Sequence, residues 1–144
     1  MTARAFRCVM IAALAVASAP ALAQARVSVQ ITSVRIITAN DRRPATAPFS
    51  RDTAYLYVVR YRIAGEPTMK VSRRARVLGP GGRVVAEVRP PAEVDEPGKY
   101  FASARIPIGA TDPRAVYVLR YEVRLRGAGS ARDRAVRTLR LPFR

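Results

Sequence analysis

Between Ala115 and Arg126 the chain reads AVYVLRYEVRLR, and its side chains change character at nearly every step. Tyr117, Leu119, Tyr121, Val123 and Leu125 share one parity, while Arg120, Glu122, Arg124 and Arg126 share the other. A strand turns successive side chains to opposite faces, so this pattern makes a half-buried strand and leaves a helix without an apolar stripe. The same period runs through Thr53–Ile63, where Tyr55, Tyr57, Val59, Tyr61 and Ile63 oppose Arg60 and Arg62. Less regular versions cover Val27–Ile37, Met69–Leu78, Arg83–Arg89, Lys99–Ile108 and Ala135–Phe143. In the first of these, parity moves from Val27, Val29 and Ile31 to Val34 and Ile36, which predicts a bulge or a change of sheet near Ser33.

These segments make seven strands, separated by turn-rich breaks at Asp41–Ser50, Ala64–Pro67, Pro90–Gly98, Gly109–Arg114 and Gly127–Asp133. Gly79-Pro80-Gly81-Gly82 joins two of them as a hairpin. The break at Asp41–Ser50, with two prolines, is the loop expected to move most. Nothing after the first residues has a helical period. The expected fold is therefore all-β: an antiparallel sandwich of about seven strands, with a closed barrel as the alternative.

The first 23 residues stand apart from this pattern. Arg4 and Arg7 precede an apolar run, Cys8–Ser18, and then Ala19-Pro20-Ala21-Leu22-Ala23. A basic start, a short apolar core and small residues at Ala21 and Ala23 form the pattern of a helical, cleavable signal peptide. A membrane-spanning helix needs about 20 apolar residues, more than this run supplies. Residues 1–23 are thus expected to be a signal peptide and residues 24–144 one periplasmic or secreted domain, with no transmembrane segment after cleavage. Cleavage would remove the one cysteine, Cys8, so the delivered domain would hold no disulfide.

The order of features resembles bacterial immunoglobulin-like or fibronectin-type-III-like domains. The residues that carry the likeness are the Tyr117-x-Leu119-x-Tyr121 strand, the preceding loop with Gly109 and Asp112, the glycine-rich hairpin, and a last strand ending Leu141-x-Phe143. The Cys–Trp–Cys core of antibody domains is missing, because the chain has no tryptophan. The resemblance implies a tyrosine corner at Tyr117. It also implies roles in binding, adhesion or assembly more often than catalysis.

Composition limits the chemistry. The chain has no histidine, so Ser–His–Asp triads, Cys–His nucleophiles and histidine-based zinc sites are unavailable. No cofactor and no metal are expected. The formal charge is +16, and loss of Arg4 and Arg7 with the leader leaves +14. Such a charge suits a protein or anionic envelope component as partner, with no specific nucleic acid implied. Arg60, Arg62, Arg120, Arg124 and Arg126 lie on the polar faces of the two clearest strands. They form one basic, ligand-binding face if those strands are neighbours. The competing reading is a solvated face that discourages edge-to-edge aggregation.

Three smaller expectations remain. Arg73 shares the parity of Met69, Val71, Ala75 and Val77, so it must break its strand or find a buried partner. All six tyrosines fall on core faces. Glu93, Asp95, Glu96 and Asp112 offer carboxylates for calcium or for hydrolysis, but without the spacing of a dedicated calcium loop. The function expected from the whole is an exported, non-catalytic binding or assembly module of the cell envelope. The alternatives are a polyanion or envelope-surface binder using the arginine face, and a small carboxylate-dependent hydrolase.

Overall fold

The computed structural model describes residues 26–144, so the expected signal peptide, residues 1–23, lies outside the described residues. Eight strands follow in chain order: β1 (Ser28–Thr38), β2 (Tyr55–Ala64), β3 (Met69–Leu78), β4 (Val84–Val88), β5 (Glu93–Asp95), β6 (Gly98–Ile106), β7 (Val116–Arg126) and β8 (Arg132–Pro142). They form two antiparallel sheets, one ordered β1-β2-β6 and the other β4-β3-β7-β8, with β5 also paired to β3. Seven strands match the segments read from the sequence. The eighth, β5, falls inside the expected break at Pro90–Gly98. It pairs with Met69–Val71 while β4 pairs with Ala75–Leu78, so the two share one edge of β3. Pro90 and Pro91 stand between them, where a residue without an N–H cannot continue a ladder.

The local expectations have physical counterparts. The register of β1 against β2 slips between Ile31 and Ser33, which restores Ile36 to the inner face opposite Tyr57. The β3–β4 hairpin turns through a single 3-10 turn at Pro80–Gly82, where Gly81 and Gly82 adopt φ of 75° and 78°.

Alternate residues of both sheets meet in one core that includes Val59, Tyr61, Ile63, Met69, Val71, Leu119, Val123 and Leu125. Five tyrosines are buried, and Tyr100 packs half-buried against the same core. Full burial of a large apolar side chain contributes about 1.5–3 kcal/mol, and the described residues, which lack cysteine, rely on it. An aromatic group closes one end: Phe49, Tyr55, Tyr117 and Phe143, with ring centroids 5.2–6.0 Å apart. Phe49 comes from the break expected to move most, yet it is buried and its N–H donates to Pro142 O at 2.8 Å.

The sheets are stitched together along one side. Asp133 of β8 accepts the Val29 N–H of β1 at 2.8 Å, and Arg137 donates to Ile31 O at 3.1 Å. Among the described residues no hydrogen bond closes the other side, between β6 and the β4–β5 edge. Among the described residues no helix is long and apolar enough to cross a membrane.

Candidate anion-binding face

Register decides where the arginines go. β2 belongs to the smaller sheet and β7 to the larger one. Their polar faces therefore point away from each other on opposite sides of the sandwich. Arg60 and Arg62 lie on the outer face of the smaller sheet, opposite Phe101 and Lys99 of β6. Arg120, Arg124 and Arg126 lie on the outer face of the larger sheet. The single five-arginine face expected from strand parity is thus two separate faces. Periodicity assigns a residue to a side of its strand but does not assign the strand to a sheet.

On the larger sheet, β3 and β8 complete what β7 begins. Lys70, Arg126 and Arg132 stand in one cross-strand row, and Ser72, Arg124 and Arg134 in the next. Neighbouring strands are about 4.8 Å apart and alternate residues about 6.8 Å apart along a strand. These rows line an open groove of ≈ 640 Å³. Ser72 and Arg124 also line an adjoining cleft of ≈ 390 Å³ that extends to Arg74, Arg89 and Glu122. Further along the face, Arg76 stands opposite Arg120, and Arg140 opposite Val118. The strand periods alone do not single out Lys70, Arg132 and Arg134 as members of this face. Lys70 is marked by its parity, opposite to Met69 and Val71. Arg132 and Arg134 precede Ala135, where alternation first becomes clear, so the sequence places them in the Gly127–Asp133 break and at its margin.

Three acids temper this face: Asp133, which lines the groove and accepts the Val29 N–H, and then Glu87 and Glu122. Glu87 binds Arg74 through Nε at 2.8 Å and Nη2 at 3.3 Å. Glu122 is 3% exposed and accepts from Arg124 Nε and from Arg134 Nη2, the latter at 3.0 Å. Burial acts to raise the Glu122 carboxyl, but the hydrogen bonds and charges of these two arginines outweigh it and hold the group below its ordinary value. Glu122 stays ionised and fixes the two arginines rather than cancelling the row beyond them. Arg126, Arg132 and Lys70 make no ion pair among the described residues.

Of the remaining charged candidates, Arg73, Glu93 and Asp112 are engaged by the fold. Arg73 keeps its place in β3, and its head reaches Glu93 Oε2 on β5 at 2.8 Å. Asp112 accepts the Gly109 N–H at 2.7 Å, in the loop before β7. Glu93 faces Val71, near the far end of β7 from that loop. The register therefore separates Asp112 from Glu93 and Asp95. Among the described residues no group of three or more Cys, Asp or Glu side chains is placed to hold a metal ion.

No family model and no curated protein matches the chain. Among solved structures, the chain is similar to a protein assigned as ApaA from Bordetella pertussis, at 15% identity and a TM-score of 0.48, over 83% of this chain and 96% of that one. It is also similar to a protein assigned as a beta-galactosidase from Bacteroides fragilis, at 16% identity and a TM-score of 0.40, over 74% of this chain and 15% of that one.

Proposed function

We propose that this chain is an exported, non-catalytic binding module that holds an anionic component of the cell envelope against the outer face of its larger sheet. The observation that carries the reading is the double row of Lys70, Arg126, Arg132, Arg124 and Arg134 around one open groove. Arginine forks match phosphate and carboxylate oxygens in two-point contacts, and rigid strands hold them in fixed rows. The basic leader pattern with Ala21-x-Ala23 supports export.

Six of the ten acids support a binding role over hydrolysis. Glu66, Glu87, Glu93, Asp112, Glu122 and Asp133 each accept hydrogen bonds from the fold. We also propose membership of the immunoglobulin-like class. The division of strands between the sheets and the hydrogen bond from Tyr117 Oη to Pro113 O, 2.9 Å, support it.

Co-sedimentation of the mature domain with lipopolysaccharide-containing vesicles tests the binding reading. The domain should pellet with them and stay in solution with purely zwitterionic vesicles. Arg126→Glu with Arg132→Glu should abolish pelleting, while Arg60→Glu with Arg62→Glu should leave most of it. Pelleting indifferent to the first pair of changes would remove the groove from the account.

A further inference from the structure

A sandwich has open sheet edges, and each exposed edge is a template for another strand unless something blocks it. Three edges here are blocked. The β1 edge is bulged after Ile31, and Asp133 and Arg137 take its Val29 N–H and Ile31 carbonyl. The β4–β5 edge is interrupted at Pro90 and Pro91. The β8 edge lies beside β1, and its end is covered by Phe49. The fourth edge, β6, differs. It runs nine residues without proline, and its pairing with β2 has no register shift. Among the described residues no side chain hydrogen-bonds a backbone group of Gly98–Ile106.

The two faces of β6 say what would suit this edge. On the outer face Lys99 and Arg105 stand at either end of a run through Phe101, which is 72% exposed, and Ser103, and Arg60 and Arg62 stand behind Phe101 and Lys99 on β2. Residues of β1, β2 and β6 on this face include no acid. None of these four cations makes an ion pair among the described residues. The groove beside Phe101 holds ≈ 540 Å³. On the inner face Ala102 and Ala104 are only half-buried, although their β2 partners Val59 and Tyr57 are buried. Next to them a small cavity of ≈ 50 Å³ reaches Tyr57, Arg73 and Tyr121.

We propose that the free edge of β6 accepts an extended segment of a partner protein as a fourth strand, and that this segment alternates acidic with small apolar residues. Its acids would lie outward beside Lys99 and Arg105, and its apolar side chains inward over Ala102 and Ala104. Backbone pairing supplies affinity in such additions, and the alternate side chains supply selectivity. A second copy of this chain suits the edge less. Antiparallel pairing centred on Ala102 sets Lys99 opposite Arg105 twice, and like charges directly opposite are unfavourable. Pairing centred on Phe101 places two acid-free cationic faces side by side.

The test uses two capped synthetic peptides, one with the run Glu-Val-Glu-Val-Glu and one with Lys-Val-Lys-Val-Lys, titrated into the mature domain while backbone amide exchange is followed. The glutamate peptide should slow exchange within Gly98–Ile106, and the lysine peptide should not. Lys99→Glu with Arg105→Glu, both at exposed positions, should weaken the glutamate peptide about tenfold and admit the lysine one. Protection by the glutamate peptide confined to Arg124–Arg134, or equal protection by both peptides, would overturn the proposal. So would concentration-dependent protection of β6 without peptide, which would identify a second copy as the occupant.

Discussion

Arg134 of β8 donates to the Glu122 carboxylate of β7 at 3.0 Å, across the most basic face of the molecule. Glu122 is the buried charged residue of the described chain, and it is buried on the outer side of its sheet. Its second oxygen takes Arg124, which stands opposite Arg134 in the ladder. Two like charges placed directly opposite repel. One carboxylate beside both offsets that repulsion and limits where each guanidinium can go.

Glu122→Gln should therefore destabilise the domain by about 1–3 kcal/mol at neutral pH, since hydrogen bonds to charged groups are the stronger kind. The carboxyl is held below its ordinary value of 4.5 in the folded state. Its contribution is thus complete above the unfolded value and is lost as pH falls through the folded one. Urea denaturation across this range should show the gap between parent and variant narrowing below about pH 4.5. A gap independent of pH would mean that Glu122 contributes through packing alone.

Tyr117→Phe should remove the hydrogen bond to Pro113 O and keep the edge-on contact with Phe143, at 5.7 Å between centroids. The expected loss is about 1 kcal/mol, read as a lower denaturation midpoint with an unchanged slope. An unaltered midpoint would show that the corner contributes nothing to stability.

Gly65 and Gly81 contrast two kinds of positive-φ glycine. Both have positive φ, 129° and 75°. A Cβ on Gly65 would lie 2.6 Å from Arg26 O and 2.9 Å from Val27 Cα, whereas one on Gly81 would meet nothing within 4 Å. Gly81→Ala should cost about 1–2 kcal/mol from backbone conformation alone. Gly65→Ala should cost distinctly more, because φ of 129° lies outside the left-handed α region and backbone atoms stand within 3 Å of the new Cβ. Thermal melts of the two variants give the comparison, and equal losses would contradict the close approach.

How far the sequence exposes this fold depends on the range of each interaction. The alternation of Tyr117–Leu125 and of Tyr55–Ile63 is local, and it correctly marks β7, β2 and their buried faces. The bulge near Ser33 is legible because it reverses parity within one strand. Strand-to-sheet assignment is non-local, and it separates Arg60 and Arg62 from Arg124 and Arg126. β5 has three residues, too few to show a period, and takes its place through β3 and the Arg73–Glu93 contact. The groove needed β3 and β8 on either side of β7, a neighbourhood that no single segment announces.

The groove is tested most directly by the salt dependence of heparin binding. Each cation engaged with a polyanion releases counterions, so affinity falls along a straight line in log–log form. Residues 24–144 should still bind at about 0.15 M salt. Arg126→Glu with Arg132→Glu should lower the affinity and flatten the slope by about two contacts, while Arg60→Glu with Arg62→Glu should leave the slope nearly unchanged. Binding that vanishes at that salt concentration, or a slope lowered equally by both pairs, would contradict a specific anion-holding face on the larger sheet.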